Sequence, residues 1–273
     1  MHHLRRLVFA LVLCMVALVA AVGLGFGRMV DHVAIRDSGL HPPSVGHVAF
    51  AVHVDDGIDM PVYSTGAIQI GCVVIFPGQH GLAGGFEGHI APLMASRGVA
   101  VFTPTYASTP NGPKLTLEQA RRFASEVVGQ VEKRCGPRYV VVGRSLGSMV
   151  AAYAVKNHRP AALLLEGASP SLAMAVRSAL GRRLVQVPMP LERLLIKNYS
   201  LRDALGAEQR FPVTIFQGTL DLQTPIADLT EPGAVPSWIE IVQVPDADHQ
   251  GTWKAAMPQI ADRITGALTN RAL

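Results

Sequence analysis

The sequence predicts an α/β domain with a mostly parallel sheet of eight strands, helices on both faces and a small helical lid. Three observations carry that expectation. Residues 72–76 form a short, wholly apolar and largely β-branched run, as a strand covered on both faces requires, and 99–102, 139–142, 162–165 and 213–216 are further short runs, apolar but for Thr214, that read as strands. Amphipathic stretches of helical period separate most of them, the alternation that builds a parallel sheet with crossover helices. Apolar residues make up 49% of the chain and charged residues 16%, enough to bury a core and too apolar for a disordered class.

The elements follow in order. Residues 1–30 begin with a basic hexapeptide, and 7–27 then run about twenty residues without a charge, long enough to cross a bilayer as a helix. They read as a retained membrane anchor or, given small residues at Ala20, Ala21 and Gly23, as a cleaved signal. Arg5 and Arg6 place the domain on the extracytoplasmic side, membrane-anchored, or secreted or periplasmic after cleavage. Residues 31–46, with Gly39, Pro42, Pro43 and Gly46, read as a linker, and 47–273 as the domain.

Residues 47–54 alternate as a half-buried strand, and 59–64 is its pairing partner. A glycine-rich loop, 77–85, follows the strand 72–76, and a helix extends from it to about Arg97. Thr116 and Gln119 form a capping box before a helix whose Phe123, Val127 and Val131 share one face. The segment 168–210 breaks the alternation and reads as the lid above the sheet. The last strand is expected at 238–244. A terminal helix presents Trp253, Met257, Ile260 and Ile264.

The formal charge of +4 is scattered, with no basic stripe interleaved with aromatics, so nucleic acid is not an expected partner. Of the three cysteines, Cys14 lies in the apolar run. Cys72 and Cys135 fall in the domain without Cys/His spacing for a metal, and are open to a disulfide or to two free thiols.

The chemistry centres on Gly143-Arg144-Ser145-Leu146-Gly147, between a strand and a helix. A sharp strand–turn–helix presents the serine hydroxyl at the carboxyl end of the sheet, and the flanking glycines allow the turn to close. Serine needs a base. His249, in a polar loop between the last strand and the final helix, is the best placed of the ten histidines. The imidazole needs a carboxylate. Asp221, after the strand 213–216, is favoured; Glu166 is the alternative acid, and Asp228 lies further into the next element. Oxyanion donors are expected from the backbone N–H groups of Leu146 and Gln79. His80, Arg144 and Tyr106 are expected to line the substrate site.

Together these pieces resemble the α/β-hydrolase superfamily over most of residues 47–268. Gly-Arg-Ser-Leu-Gly-Ser, Leu-Leu-Leu-Glu at 163–166, Pro-Val-x-Ile-Phe-Gln-Gly-Thr-x-Asp at 212–221 and Asp-x-Asp-His at 246–249 look like its serine-aminopeptidase-like branch of membrane-anchored acyl-ester hydrolases. The resemblance implies hydrolysis of an ester, thioester or amide without cofactor or metal, on a small-molecule or lipid-like acyl substrate. Its roles fall on Ser145, Asp221 and His249 as a triad, with Gln79 and Leu146 as oxyanion donors. A binding protein without catalysis, or an acyltransferase using the same serine, would share the fold. Two loops depart from the family: Pro77-Gly78 stands for its His-Gly, and Thr105-Tyr106-Ala107-Ser108 for its Asp-Tyr-Arg-Gly. The implied strand order makes 72–76 and 139–142 neighbours, which brings Cys72 and Cys135 close enough for a disulfide to be expected.

Overall fold

A computed structural model describes residues 21, 25, 27–32, 34–54, 57–180 and 199–269. Eight strands form one sheet: β1 (His47–Val54), β2 (Ile58–Thr65), β3 (Gly71–Phe76), β4 (Val99–Pro104), β5 (Tyr139–Arg144), β6 (Ala162–Glu166), β7 (Val213–Gly218) and β8 (Glu240–Val244). Their order is β1-β2-β4-β3-β5-β6-β7-β8. The pairs β1–β2 and β2–β4 are antiparallel and the rest parallel.

The wholly apolar runs are the central strands because both faces are covered. In β3, Cys72, Val74 and Phe76 face one core while Val73 and Ile75 face the other. Tyr139 and Val141 against Val140 and Val142 repeat this in β5. Helices α2 (Leu117–Cys135) and α3 (Leu146–Ala154) pack on the first face, α1 (Phe86–Ser96) and α7 (Gly251–Thr269) on the second. The capping box that starts α2 is formed: Thr116 Oγ1 accepts from Gln119 N at 3.2 Å, and Gln119 Oε1 from Thr116 N at 2.9 Å. Strand β8 begins two residues later than the sequence predicts. A turn holds 236–239, with Ile239 N bonded to Pro236 O, and the Trp238 indole donates to Ala207 O instead of joining the sheet.

Cys72 and Cys135 form a disulfide with Cα atoms 6.1 Å apart, tying the start of β3 to the end of α2. The region read as a lid contributes α4 (Leu172–Leu180) and α5 (Leu201–Leu205); residues 181–198 lie outside the described residues. Helix α6 (Ile226–Thr230) follows β7. Most of the apolar run 7–27 also lies outside, and among the described residues no helix is long and apolar enough to cross a membrane. The segment read as a linker packs on the domain. Ile35 and Asp37 are buried, and Asp31 accepts from Glu118 N at the start of α2.

Chain direction in the sheet positions the site. From β3 the chain continues to β4 on one side, and from β5 to β6 on the other. The crevice at the carboxyl ends of β3 and β5 is where ligands bind in open α/β sheets. The loops after β3, β5, β7 and β8 carry Gln79, Ser145, Asp221 and His249 to this edge.

Candidate active site

Ser145 sits between β5 and α3 with φ 52° and ψ −120°, a backbone conformation a non-glycine residue rarely holds. Its neighbours explain how the turn closes. A Cβ on Gly143 would lie 2.4 Å from Gly147 O, and one on Gly147 would lie 2.3 Å from Phe76 O and Pro77 O. Ser148 Oγ bonds Gly143 O at 2.8 Å and Glu166 O at 3.0 Å, and Ser145 N bonds Glu166 O at 2.7 Å. The strained turn is thus fixed from three sides.

Ser145 Oγ lies 2.9 Å from His249 Nε2, and His249 Nδ1 lies 2.7 Å from Asp221 Oδ2. Asp221 is buried and densely held. Oδ1 accepts from Gln223 N at 2.8 Å and Thr224 N at 2.9 Å; Oδ2 accepts from Thr224 Oγ1 at 2.7 Å and Gln217 Nε2 at 3.0 Å. Burial pushes its carboxyl up, but the His249 hydrogen bond and charge and the Thr224 donors outweigh that and hold it below the usual carboxylate range. An ionised Asp221 only accepts, so Nδ1 carries the ring proton and Nε2 faces the serine as an acceptor. The imidazole packs over Gly167, where an added Cβ would stand 3.0 Å from the ring.

Glu166 is not brought to His249's ring nitrogens. Its carboxylate is fully buried and pairs with Arg144 Nε at 3.2 Å. Burial pushes it up to about 7, against the pull of Arg144 and His249 and with Asp221 adding to the rise. Asp228 lies in α6, one turn beyond the Asp221 loop.

Gln79 and Leu146 border a cavity of about 360 Å³ together with Ser145 and His249. Leu146 opens α3, so its N–H has no acceptor within the helix and points outward at the helix's positive end. Met149 and Ala175 give the cavity an apolar wall, while Ser178 and Gln223 give it polar groups.

Of the three expected lining residues, the structure corrects one and brings the other two to a recess beside Ser145. Tyr106 is fully buried and donates from its hydroxyl to Pro77 O at 3.1 Å; an aromatic ring on an apolar strand end is drawn into the core and its hydroxyl satisfied there. Arg144 is only 5% exposed, pinned by Glu166, by Gln250 Oε1 at 2.8 Å and by the Trp253 ring, 5.7 Å away. It borders a recess of about 120 Å³ that Ser145 and His249 also line, together with Gln79 and the exposed His80. Sequence reasoning missed Thr224, Gln217 and Gly167. Thr224 was within reach, because an Asp followed by a backbone turn commonly accepts from N–H groups two and three residues on.

A further carboxylate besides Asp221 and Glu166 is buried on the second face of the sheet. Glu87, in the first turn of α1, is fully buried, and neither oxygen has a hydrogen-bond partner on another residue. Burial pushes it up to about 7, against the pull of its own backbone N–H and of Arg144 and with Glu166 and Asp37 adding to the rise. The folded state therefore holds its proton more tightly than the unfolded chain, and stability is lost as pH rises from the unfolded value through about 7. Glu87→Gln is expected to match wild type at pH 4.5 and to exceed it by about 3 kcal/mol at pH 8. Urea unfolding at both pH values checks this.

A serine, imidazole and carboxylate in this order, at the carboxyl ends of parallel strands beside a helix N-terminus, have the arrangement of an α/β-hydrolase site. The profile of the alpha/beta hydrolase family matches residues 73–271, and the chain belongs to that family. A comparison with curated proteins finds no match. Solved structures share the fold. The Pyrococcus furiosus esterase superposes with a TM-score of 0.63 at 14% identity, over 85% of this chain and 95% of that one. The Paleococcus ferrophilus monoacylglycerol lipase gives 0.53 at 17%, over 76% and 99%. The 2,6-dihydroxy-pseudo-oxynicotine hydrolase gives 0.59 at 22%, over 80% and 67%.

Proposed function

We propose that this chain is a serine hydrolase that cleaves an ester of an apolar acyl group through an acyl-enzyme on Ser145. The observation that carries the reading is the continuous line from Asp221 Oδ2 through His249 to Ser145 Oγ, with contacts of 2.7 Å and 2.9 Å. Ser145 Oγ attacks the acyl carbon as its proton passes to His249 Nε2. The carbonyl oxygen gains the negative charge and is held by the N–H groups of Leu146 and Gln79. As the tetrahedral intermediate collapses, the bond to the alcohol breaks and His249 returns the proton to the leaving oxygen. Water then attacks the acyl-enzyme, giving its proton to His249. Release of the acid returns that proton to Ser145. Asp221 holds the tautomer and stabilises the imidazolium without being protonated.

The wall formed by Leu146, Met149 and Ala175 supports an apolar acyl group. We further propose that residues 168–210 cover this cavity as a lid, and that residues 7–27 direct the domain to the extracytoplasmic side of a membrane. The Cys72–Cys135 disulfide supports an oxidising compartment.

A fluorophosphonate probe is expected to label wild-type protein on Ser145 and to leave Ser145→Ala unlabelled, with p-nitrophenyl ester turnover lost in the same variant. Folded wild type that neither labels nor turns over esters of any chain length would favour a non-catalytic binding protein.

A further inference from the structure

The loop that carries Gln79 is held by a segment lying before the first strand. Every carbonyl from Pro77 to Gln79 has a donor. Pro77 O accepts from the Tyr106 hydroxyl at 3.1 Å, Gly78 O from Gly81 N at 3.0 Å and Gln79 O from Arg36 N at 2.6 Å. Peptide planarity turns these into constraints on the N–H groups: fixing Gly78 O fixes the direction of Gln79 N–H, the group proposed above as an oxyanion donor.

Two of these three anchors depend on Asp37 and the third on its neighbour Arg36. Asp37 is fully buried. Its Oδ2 accepts from Tyr106 N and Thr105 Oγ1, both at 2.7 Å, and its Oδ1 from Gly39 N at 2.8 Å. The carboxylate thereby seats Tyr106, whose hydroxyl grips Pro77. It also lies directly on Gly81, whose φ is +64°. A Cβ there would stand 2.1 to 2.2 Å from the Asp37 carboxyl atoms, so the turn and the carboxylate interlock. The segment is itself fixed. Ile35 is buried in the core, Asn111 N donates to Ser38 O at 2.8 Å, and Gly39 lies so close to the chain that a Cβ would meet Thr109 O at 2.2 Å.

We propose that residues 34–39 form a strap that sets the oxyanion loop, with Asp37 as its positioning residue; this rests on the reading of Ser145 as the nucleophile. The strap touches no substrate. It holds the Gln79 N–H where charge develops in the transition state, so its loss falls on kcat and not on KM.

Arg36 makes the test sharp, because its side chain is exposed and only its N–H reaches the loop. In the full chain, Arg36→Ala keeps the N–H and is expected to act as wild type. Arg36→Pro removes it, and kcat for a p-nitrophenyl ester is expected to fall roughly ten- to a hundredfold with KM within twofold. Asp37→Asn gives a second, independent perturbation: the side chain keeps one acceptor and loses the other, and a loss in kcat is expected there too. Thermal melts accompany each variant. Should Arg36→Pro fail to fold, Asp37→Asn alone decides. Folded variants with wild-type kcat, or with raised KM at unchanged kcat, would overturn the strap. Wild-type protein that the fluorophosphonate probe does not label would overturn the underlying reading of Ser145, and the strap with it.

Discussion

Asp221→Asn is expected to lower kcat about 10⁴-fold with the fold intact, the scale seen when a triad carboxylate becomes an amide. The geometry says why. Gln223 N and Thr224 N both donate to Asp221 Oδ1. In the variant they select the amide oxygen for that side, which turns the amide NH₂ toward His249 Nδ1. A donor facing Nδ1 forces that nitrogen to accept, so the ring proton moves to Nε2. The nitrogen facing Ser145 then carries a hydrogen and cannot take another. The NH₂ also opposes Gln217 Nε2, which donates to Asp221 Oδ2 in the wild type, so some stability is lost with the activity. Glu166 does not rescue the variant, because its carboxylate is committed to Arg144 in a fully buried position. Glu166→Gln, measured beside it, is expected to retain kcat within about tenfold, since Arg144 still has Gln250 and the Trp253 ring. The reverse pattern, with Glu166→Gln inactive and Asp221→Asn active, would transfer the acid's role to Glu166.

What the sequence made legible follows a physical line. The central strands were readable because burial on both faces leaves no polar residue in 72–76 or 139–142, and the α2 start because Thr116 and Gln119 lie within one turn. Ser145 was readable because its turn needs glycine two residues before and two after, where any Cβ would meet backbone. Asp221 and His249 were readable through chain order. The Asp37 strap was not. Its partners Thr105, Tyr106, Gln79 and Gly81 lie more than forty positions away, and nothing periodic or local marks a buried carboxylate among Gly and Pro residues that look like a spacer. The same holds for Glu87 and for Arg144. Exposed helix ends and motif positions are where charged residues usually stand, and it is the packing of α1 and α7 on the second face of the sheet, with Trp253 against Phe86 and Arg144, that goes with the burial of these two. The lid reading depends on residues 181–198, outside the described residues.

The disulfide separates stability from catalysis. Cys72→Ala/Cys135→Ala is expected to lose about 4 kcal/mol, from loop-closure entropy returned to an unfolded chain cross-linked over 63 residues. For a domain of this size that lowers Tm by roughly 10 °C. The entropy is the right term to expect because the bond strains no element: Cys72 keeps its pairing with Ala100 and Tyr139, and Cys135 closes α2. Both sulfurs lie at the amino end of the parallel strands. Ser145, Asp221 and His249 lie at the carboxyl end, so the length of β3 separates the bond from the chemistry. At 25 °C the double variant is therefore expected to keep wild-type kcat and KM while melting earlier. Reductant should bring wild type down to the variant's Tm and leave the variant unmoved. A double variant that loses kcat while still fully folded would mean that the two ends of β3 are coupled, and that the oxyanion loop after Phe76 draws its position from the base of the sheet as well as from Asp37.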